Sequence, residues 1–212
     1  MRKLVLVMSL LFVSALQAAV IDFEKMATSS GGGIANNNYV EDGFFVLANT
    51  NLYGYADGWQ SYRGASNGST VAGLAGSLSG GRFTLSRADT AAFSLQSIDL
   101  AEFFESSDSA YQYNATQVIV TGQTSGNTTV QRTLSLDMLR DGVGGVDDFQ
   151  TFLFDDSWGS LTSVRFATLE SNAYLSFDNI VTGAALVPVP AAVWLFGSAL
   201  AGLGWMRRKP TM

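Results

Sequence analysis

Aromatic and polar side chains crowd into one short stretch of the chain, residues 51–63. The aromatic residues there are Tyr53, Tyr55, Trp59 and Tyr62, and the polar residues between them are Asn51, Asp57, Gln60 and Arg63. Sugars present C–H faces that stack on aromatic rings, and their hydroxyls need amide, carboxylate or guanidinium partners. Glycines at positions 54, 58 and 64 favour a loop, and loops on rigid scaffolds carry binding sites. The stretch predicts a carbohydrate-binding site formed by Tyr55, Trp59, Tyr62 and Arg63.

The same stretch is also typical of ordinary core packing, because most aromatic side chains in folded proteins are buried. In that interpretation Tyr53 and Tyr55 point inward from a strand and Trp59 caps the domain. The residue types and their spacing are compatible with both interpretations, so the two stay open at this point.

Two carboxylates at opposite ends of the central region, Glu24 and Asp178, are candidates for a cation site. In an antiparallel sandwich the first and last strands lie close together at one edge, which would bring Glu24 near Asp178. Calcium takes roughly six to eight oxygen ligands, and paired carboxylates supply the charge. We therefore predict a calcium ion held by Glu24 and Asp178, with backbone carbonyls and Asp22 or Asn179. The alternative is that Asp178 only ends a strand and Glu24 is solvated.

A third group of acids raises the question of glycoside hydrolysis. Glu102 and Glu105 lie close in sequence to Asp99 and Asp108, but such catalysis needs an acid and a base about 5–10 Å apart in a cleft. On a strand Glu102 and Glu105 would face opposite ways. We therefore predict that the protein is not an enzyme.

Two residue types are missing, and their absence excludes much chemistry. The chain of 212 residues has no cysteine and no histidine, so thiol catalysis, Ser-His-Asp triads and the usual zinc ligands are excluded. All 18 acidic residues lie between Asp22 and Asp178, whereas five of the 12 basic residues lie at the two ends. An acidic central region would be repelled by a nucleic-acid backbone, so we predict no nucleic-acid partner.

Short runs of alternating apolar and polar residues recur through residues 20–185, separated by Gly, Asn and Ser turns. Examples are residues 83–86, 116–121, 130–136, 150–154, 163–166 and 174–181. Such a pattern predicts an all-β fold, an antiparallel two-sheet sandwich of the jelly-roll type. Residues 117–136 predict one hairpin with a Gly-Asn turn, and residues 135–140 are the best candidate for a short helix.

The two ends of the chain have the features of targeting segments. Residues 1–19 combine the basic start MRK, the apolar run LVLVMSLLFVSAL and the small-residue exit QAA, which predicts a secretory signal peptide. Residues 186–212 form a separate tail, in which 190–206 is uncharged and predicts one transmembrane helix. The basic end Arg207, Arg208 and Lys209 then anchors the cytoplasmic side, as the positive-inside rule requires.

The tail also carries a motif, formed by Val187, Pro188, Val189, Pro190 and Ala191 and followed by an apolar Gly-rich helix and the basic end. Residues 187–209 resemble the PEP-CTERM class of sorting signals, and most of all its VPLPA-CTERM variant. The resemblance implies recognition by an exosortase, an integral-membrane processing enzyme, in a Gram-negative exopolysaccharide and biofilm producer. Val189 departs from the glutamate of one form and the leucine of the other, which leaves the exosortase type open.

The central region resembles jelly-roll carbohydrate-binding modules through its opening residues 20–24, VIDFE, and its closing residues 177–180, FDNI. In such modules a calcium ion at this place is structural. We therefore predict an exported envelope or extracellular-matrix protein that binds exopolysaccharide. It is anchored at least transiently in the bacterial inner membrane, with its body outside the cytoplasm, and then reaches the cell surface or medium. The alternative is a structural surface or biofilm protein without a ligand site.

Overall fold

The computed structural model describes residues 18–26, 36–55, 65–74, 80–102, 114–139 and 149–185. Strands dominate these residues, and short 3-10 turns cover Glu24–Met26 and Asp156–Trp158. The strands are β1 (Ala19–Ile21), β2 (Asn36–Glu41), β3 (Phe44–Tyr55), β4 (Val71–Leu74), β5 (Arg82–Arg87), β6 (Phe93–Ala101), β7 (Gln117–Thr124), β8 (Thr129–Ser135), β9 (Gln150–Leu153), β10 (Leu161–Thr168) and β11 (Leu175–Ala184).

The strands pair in the order β8-β7-β10-β5-β3-β4-β11-β6-β9, with β1 added to β11 and β2 added to β3. Long strand β3 serves both halves of this path, because residues 44–48 pair with β5 and residues 52–55 pair with β4. Strand β10 also pairs with β6 where Leu161 lies opposite Phe93. This extra pairing folds the path back on itself, so the architecture is a β-sandwich with barrel-like closure.

The core is built from alternate, inward-facing residues of the strands. Phe83 of β5 stacks on Phe166 of neighbouring β10, with ring centroids 4.7 Å apart. Phe83 also stacks on Phe177 of β11 at 4.2 Å, although β5 and β11 share no hydrogen bonds. The three rings are fully buried, so this stack connects the two halves of the strand path across the interior.

The fold confirms the all-β prediction and the hairpin at residues 117–136. Strands β7 and β8 pair from Gln117 opposite Ser135 to Gln123 opposite Thr129. The predicted helix at residues 135–140 is wrong over its described part, because Ser135 belongs to β8 and residues 136–139 form no helix. Leu136 N instead donates to Thr116 O at 3.0 Å, which prolongs the hairpin.

The predicted targeting segments fall outside the described residues. These include nearly all of the signal peptide 1–19, the sorting motif 187–191, the transmembrane helix 190–206 and the basic end 207–209. Within the described ranges, no helix reaches the length and apolar character that a membrane span requires. The expectation that the first and last strands lie side by side is confirmed, since β1 pairs with the C-terminal half of β11.

Candidate functional site

An aromatic surface begins at the C-terminal end of β3. Tyr53 and Tyr55 alternate with Leu52 and Gly54, which are buried in the core, so the two tyrosines lie on the opposite face of the strand. Their ring centroids are 6.3 Å apart and both side chains are partly exposed. Tyr53 and Tyr55 therefore point away from the main core, although both side chains remain partly buried.

Neighbouring strands extend this surface. Val71 of β4 lies directly opposite Tyr55 and is fully buried. Four partly buried rings, those of Tyr53, Tyr55, Phe149 and Tyr174, pack against Val71 in a cluster separate from the main core. We call these four rings around Val71 the aromatic patch. It collects side chains from three distant parts of the sequence on one face of the sheet.

Polar groups continue the same face across β11, β6 and β9. Asp178 of β11 lies opposite Asp99 of β6, and Asp99 lies opposite Thr151 of β9. The Asp99 carboxylate accepts hydrogen bonds from Thr151 Oγ1 at 2.6 Å and from Asn179 Nδ2 at 3.0 Å. These carboxylate, hydroxyl and amide groups run across the strands that border the aromatic patch. We call them the polar row.

Asp178 is the most deeply buried acid of this row. Its side chain is fully buried, and burial raises the pKa of its carboxyl to about 6, against opposing hydrogen bonds from Asn67, Asn179 and Ser69. The distances to Asp178 Oδ2 are 2.6 Å from Asn67 Nδ2 and 3.0 Å from Ser69 Oγ. Asn179 N donates to Oδ1 at 2.8 Å. Asp178 thus fastens residues 67–70, here named the polar loop, to β11.

Glu24 binds the other end of the polar loop. Thr70 N donates to Glu24 Oε1 at 2.9 Å, and Thr70 Oγ1 donates to Oε2 at the same distance. The two carboxylates predicted to hold calcium, Glu24 and Asp178, therefore bind the two ends of the same loop.

Glu24, Asp178 and the polar loop offer oxygen ligands for a calcium ion, but the carboxylate oxygens already have protein partners. Each oxygen of Glu24 and Asp178 already accepts a hydrogen bond from a protein donor, so the polar loop is held without a cation. Among the described residues, no three acidic side chains gather into a group that could hold a metal ion. Hydroxyls of Ser69 and Thr70 lie beside the carboxylates and are oxygen ligands that calcium accepts. Calcium at this place stays a prediction.

The carboxylate considered for glycoside hydrolysis has a different setting. Glu102 is 1% exposed and its Oε1 accepts a hydrogen bond from Met138 N at 2.8 Å. Glu105 and Asp108 lie outside the described residues. Glu102 therefore anchors the segment after β8 and does not line an open cleft.

Of the predicted carbohydrate-binding residues, Tyr55 belongs to the aromatic patch, whereas Trp59, Tyr62 and Arg63 lie outside the described residues. The sequence did not indicate Phe149 and Tyr174 as site residues, because each is a single aromatic residue next to a strand. Only the pairing of the strands brings them close to Tyr53. It also missed the polar loop, for which the turn sequence Asn-Gly-Ser-Thr at positions 67–70 is the available signal.

No family model matches this chain, and no curated protein does. Solved structures with some likeness are carbohydrate-binding modules of family 29. CBM29-1 from Piromyces equi has a TM-score of 0.43 and 13% identity, covering 82% of this chain and 94% of that one. A CBM29-2 mutant complexed with cellulohexaose has a TM-score of 0.38 and 11% identity, covering 80% and 92%. Likeness at this level carries no conclusion about what this chain binds.

Proposed function

We propose that this chain is a non-catalytic, exported envelope protein whose β domain binds polysaccharide through the aromatic patch. The observation that carries the proposal is the grouping of Tyr53, Tyr55, Phe149 and Tyr174 around Val71, on the sheet face that also bears Asp99. A ligand for such a surface needs flat apolar faces together with many hydroxyls. Polysaccharides have both.

The partial burial of the rings supports this role. Rings packed against Val71 on a sheet are held rigidly, so a sugar that stacks on them costs the protein little side-chain entropy. Asp99 can accept hydrogen bonds from sugar hydroxyls with the lone pairs that Thr151 and Asn179 leave unused. Stacking would give affinity, and the polar row would select the sugar.

The decisive experiment measures binding of the full chain to a panel of soluble polysaccharides by affinity electrophoresis and calorimetry. Tyr55→Ala should weaken binding about tenfold or more, as expected when a stacking ring is removed. Tyr55→Phe keeps the ring and should retain most of the affinity. Leu47→Ala is the matched control, because Leu47 is 45% exposed on the same strand but outside the patch.

Saturable binding that all three variants share equally would refute the patch as the site. No binding by a folded, monodisperse chain would refute the carbohydrate proposal. Concentration-dependent assembly in its place would favour the structural surface protein.

A calcium ion at Glu24 and Asp178 belongs to the same proposal as a structural element. It would cross-link β11 and the segment after β1 to the polar loop, with Glu24 and Asp178 supplying the charge. Calcium should then raise the melting temperature and EDTA lower it. The effect should vanish in Glu24→Gln, and an unchanged melting temperature would refute the ion.

Export and sorting complete the proposal, and they rest on the sequence at both ends. The signal peptide sends the body across the inner membrane, and the tail 186–212 holds it there until an exosortase processes it. Deletion of residues 187–212 should release the protein to the periplasm or medium, measured by fractionation and immunoblot. Unchanged retention in the envelope would refute the sorting role of the tail.

A further inference from the structure

The polar loop contains an Asn-Gly sequence, Asn67-Gly68, and this dipeptide occurs only once in the chain. Asn67 is exposed, and Gly68 has a φ of +83°. A glycine after an asparagine has no side chain to hinder approach of its backbone nitrogen to the asparagine side chain. The local sequence therefore permits a reaction between Gly68 N and the carboxamide of Asn67.

Hydrogen bonds fix the orientation of the Asn67 amide. Ser69 N, which can only donate, is 3.1 Å from Asn67 Oδ1, and Ser69 Oγ is 2.7 Å from the same oxygen. On the other side Asn67 Nδ2 is 2.6 Å from Asp178 Oδ2. The donor-only nitrogen of Ser69 and the carboxylate of Asp178 independently assign which atom is oxygen and which is nitrogen.

Several of these contacts favour attack on the amide carbon. The backbone N–H of Ser69 points at the oxygen that gains negative charge as the carbon becomes tetrahedral, as in an oxyanion hole, and the single hydroxyl hydrogen of Ser69 is shared between that oxygen and Asp178 Oδ2. Gly68 N, the nucleophile, donates its hydrogen to Ser66 Oγ at 3.3 Å. Asp178 holds the nitrogen that must leave. Nucleophile, carbonyl and leaving group each have a partner in the folded loop.

We propose that the folded domain promotes its own deamidation at Asn67. Gly68 N bonds to Cγ of Asn67, the Cγ–Nδ2 bond breaks, and a cyclic imide forms. The proton of Gly68 N passes through Ser66 Oγ to water, the leaving nitrogen takes a proton from water, and ammonia departs. Water then opens the imide to aspartate or isoaspartate at position 67. No oxidant, reductant or further reactant is needed.

The consequence is a change of charge at a position that secures the polar loop. Nδ2 of Asn67 donates to Asp178 before the reaction, whereas the product carboxylate has no such donor and repels Asp178. The loop end at Asn67 is then released from β11, while the Thr70 end stays bound to Glu24. The reaction is therefore a slow, irreversible switch in the loop beside the aromatic patch.

The test compares the freshly purified full chain in its folded state and in urea at the same pH and temperature. Trypsin releases residues 64–82, in which Asn67 is the only side-chain amide, so mass spectrometry follows its replacement by a carboxyl group directly. Isoaspartate labelling of the same peptide confirms the imide route. The folded chain should convert at least about tenfold faster than the unfolded chain, because the reacting groups are already oriented.

Ser69→Ala removes the hydroxyl contact but keeps the backbone donor, and Asp178→Asn removes the carboxylate. Both should slow the folded rate towards the unfolded one, and Ser69→Ala keeps the test valid if Asp178→Asn does not fold. A folded wild-type chain that converts no faster than the unfolded chain would overturn the proposal. Folded variants that convert as fast as the wild type would do the same.

Discussion

Replacement of Asp178 by asparagine tests the electrostatics of the polar row. Burial raises the pKa of the Asp178 carboxyl from 3.8 to about 6. The folded protein therefore binds a proton at the Asp178 carboxyl more tightly than the unfolded chain does, and protonation of Asp178 stabilises the fold. The stabilisation is fully present below about pH 4 and is lost as the pH rises through about 6.

The magnitude follows from the size of the shift. A rise of roughly two pKa units corresponds to about 3 kcal/mol of unfolding free energy, at about 1.4 kcal/mol per unit. Most of this, about 2 kcal/mol, falls between about pH 4 and pH 7. The asparagine of the Asp178→Asn variant cannot ionise. The wild type should therefore lose about 2 kcal/mol of unfolding free energy relative to the variant between about pH 4 and pH 7.

Urea unfolding of the full chain in EDTA, followed by tryptophan fluorescence at several pH values, measures this difference. Asp89→Asn is the control, because a hydrogen bond from Arg87 lowers the pKa of Asp89 and puts its titration below this range. A wild-type-minus-variant difference that is independent of pH would refute the reasoning. A difference that grows in favour of the wild type with rising pH would show that hydrogen bonds dominate over burial.

Three further changes have expected outcomes. Gly54→Ala would place its Cβ 2.4 Å from Met26 Cβ, so the turn at Glu24 must shift and unfolding free energy should fall by about 1–3 kcal/mol in urea titrations. Phe83→Ala empties the centre of the aromatic stack with Phe177 and should cost about 3–5 kcal/mol. Asn67→Asp should lower the melting temperature in EDTA, and added calcium should restore it.

Each of these has a control or a contrary result. Gly126→Ala should leave stability unchanged, since its Cβ would lie 3.7 Å from the nearest atom, Thr124 Oγ1. Phe83→Leu should cost less than Phe83→Ala, and equal losses would mean that cavity volume does not set the cost. If Asn67→Asp melts like the wild type in EDTA, the hydrogen bond from Asn67 to Asp178 contributes little to stability.

Much of the strand pattern was predictable, because alternation of apolar and polar residues follows directly from strand geometry. The hairpin β7–β8 is an example, since its two runs and its turn are adjacent in sequence. The helix predicted at residues 135–140 failed because a short apolar stretch has no decisive period, and pairing of Ser135 with Gln117 determines its conformation. Local sequence patterns therefore predict strand pairing reliably where the two strands and their turn are close in sequence.

The candidate site was predictable only in part. The sequence indicated aromatic residues near Tyr55 and paired Glu24 with Asp178 through the closeness of the first and last strands. It could not indicate that Phe149 and Tyr174 join the patch, because their contacts depend on strand order. Nor could it indicate that Asp178 contacts Asn67, which lies 111 residues away.

The sequence by itself determined the chemistry that is available to this protein. A chain without cysteine or histidine cannot use thiols or imidazoles, and the alternating runs with Gly and Asn turns restrict the domain to β structure. Only the tertiary structure decided which faces these strands present and which distant groups meet. Strand pairing sets both, because a shift of one residue moves every side chain to the other face of the sheet. That is why Tyr55 lies in a surface patch and why Glu24 and Asp178 hold one loop between them.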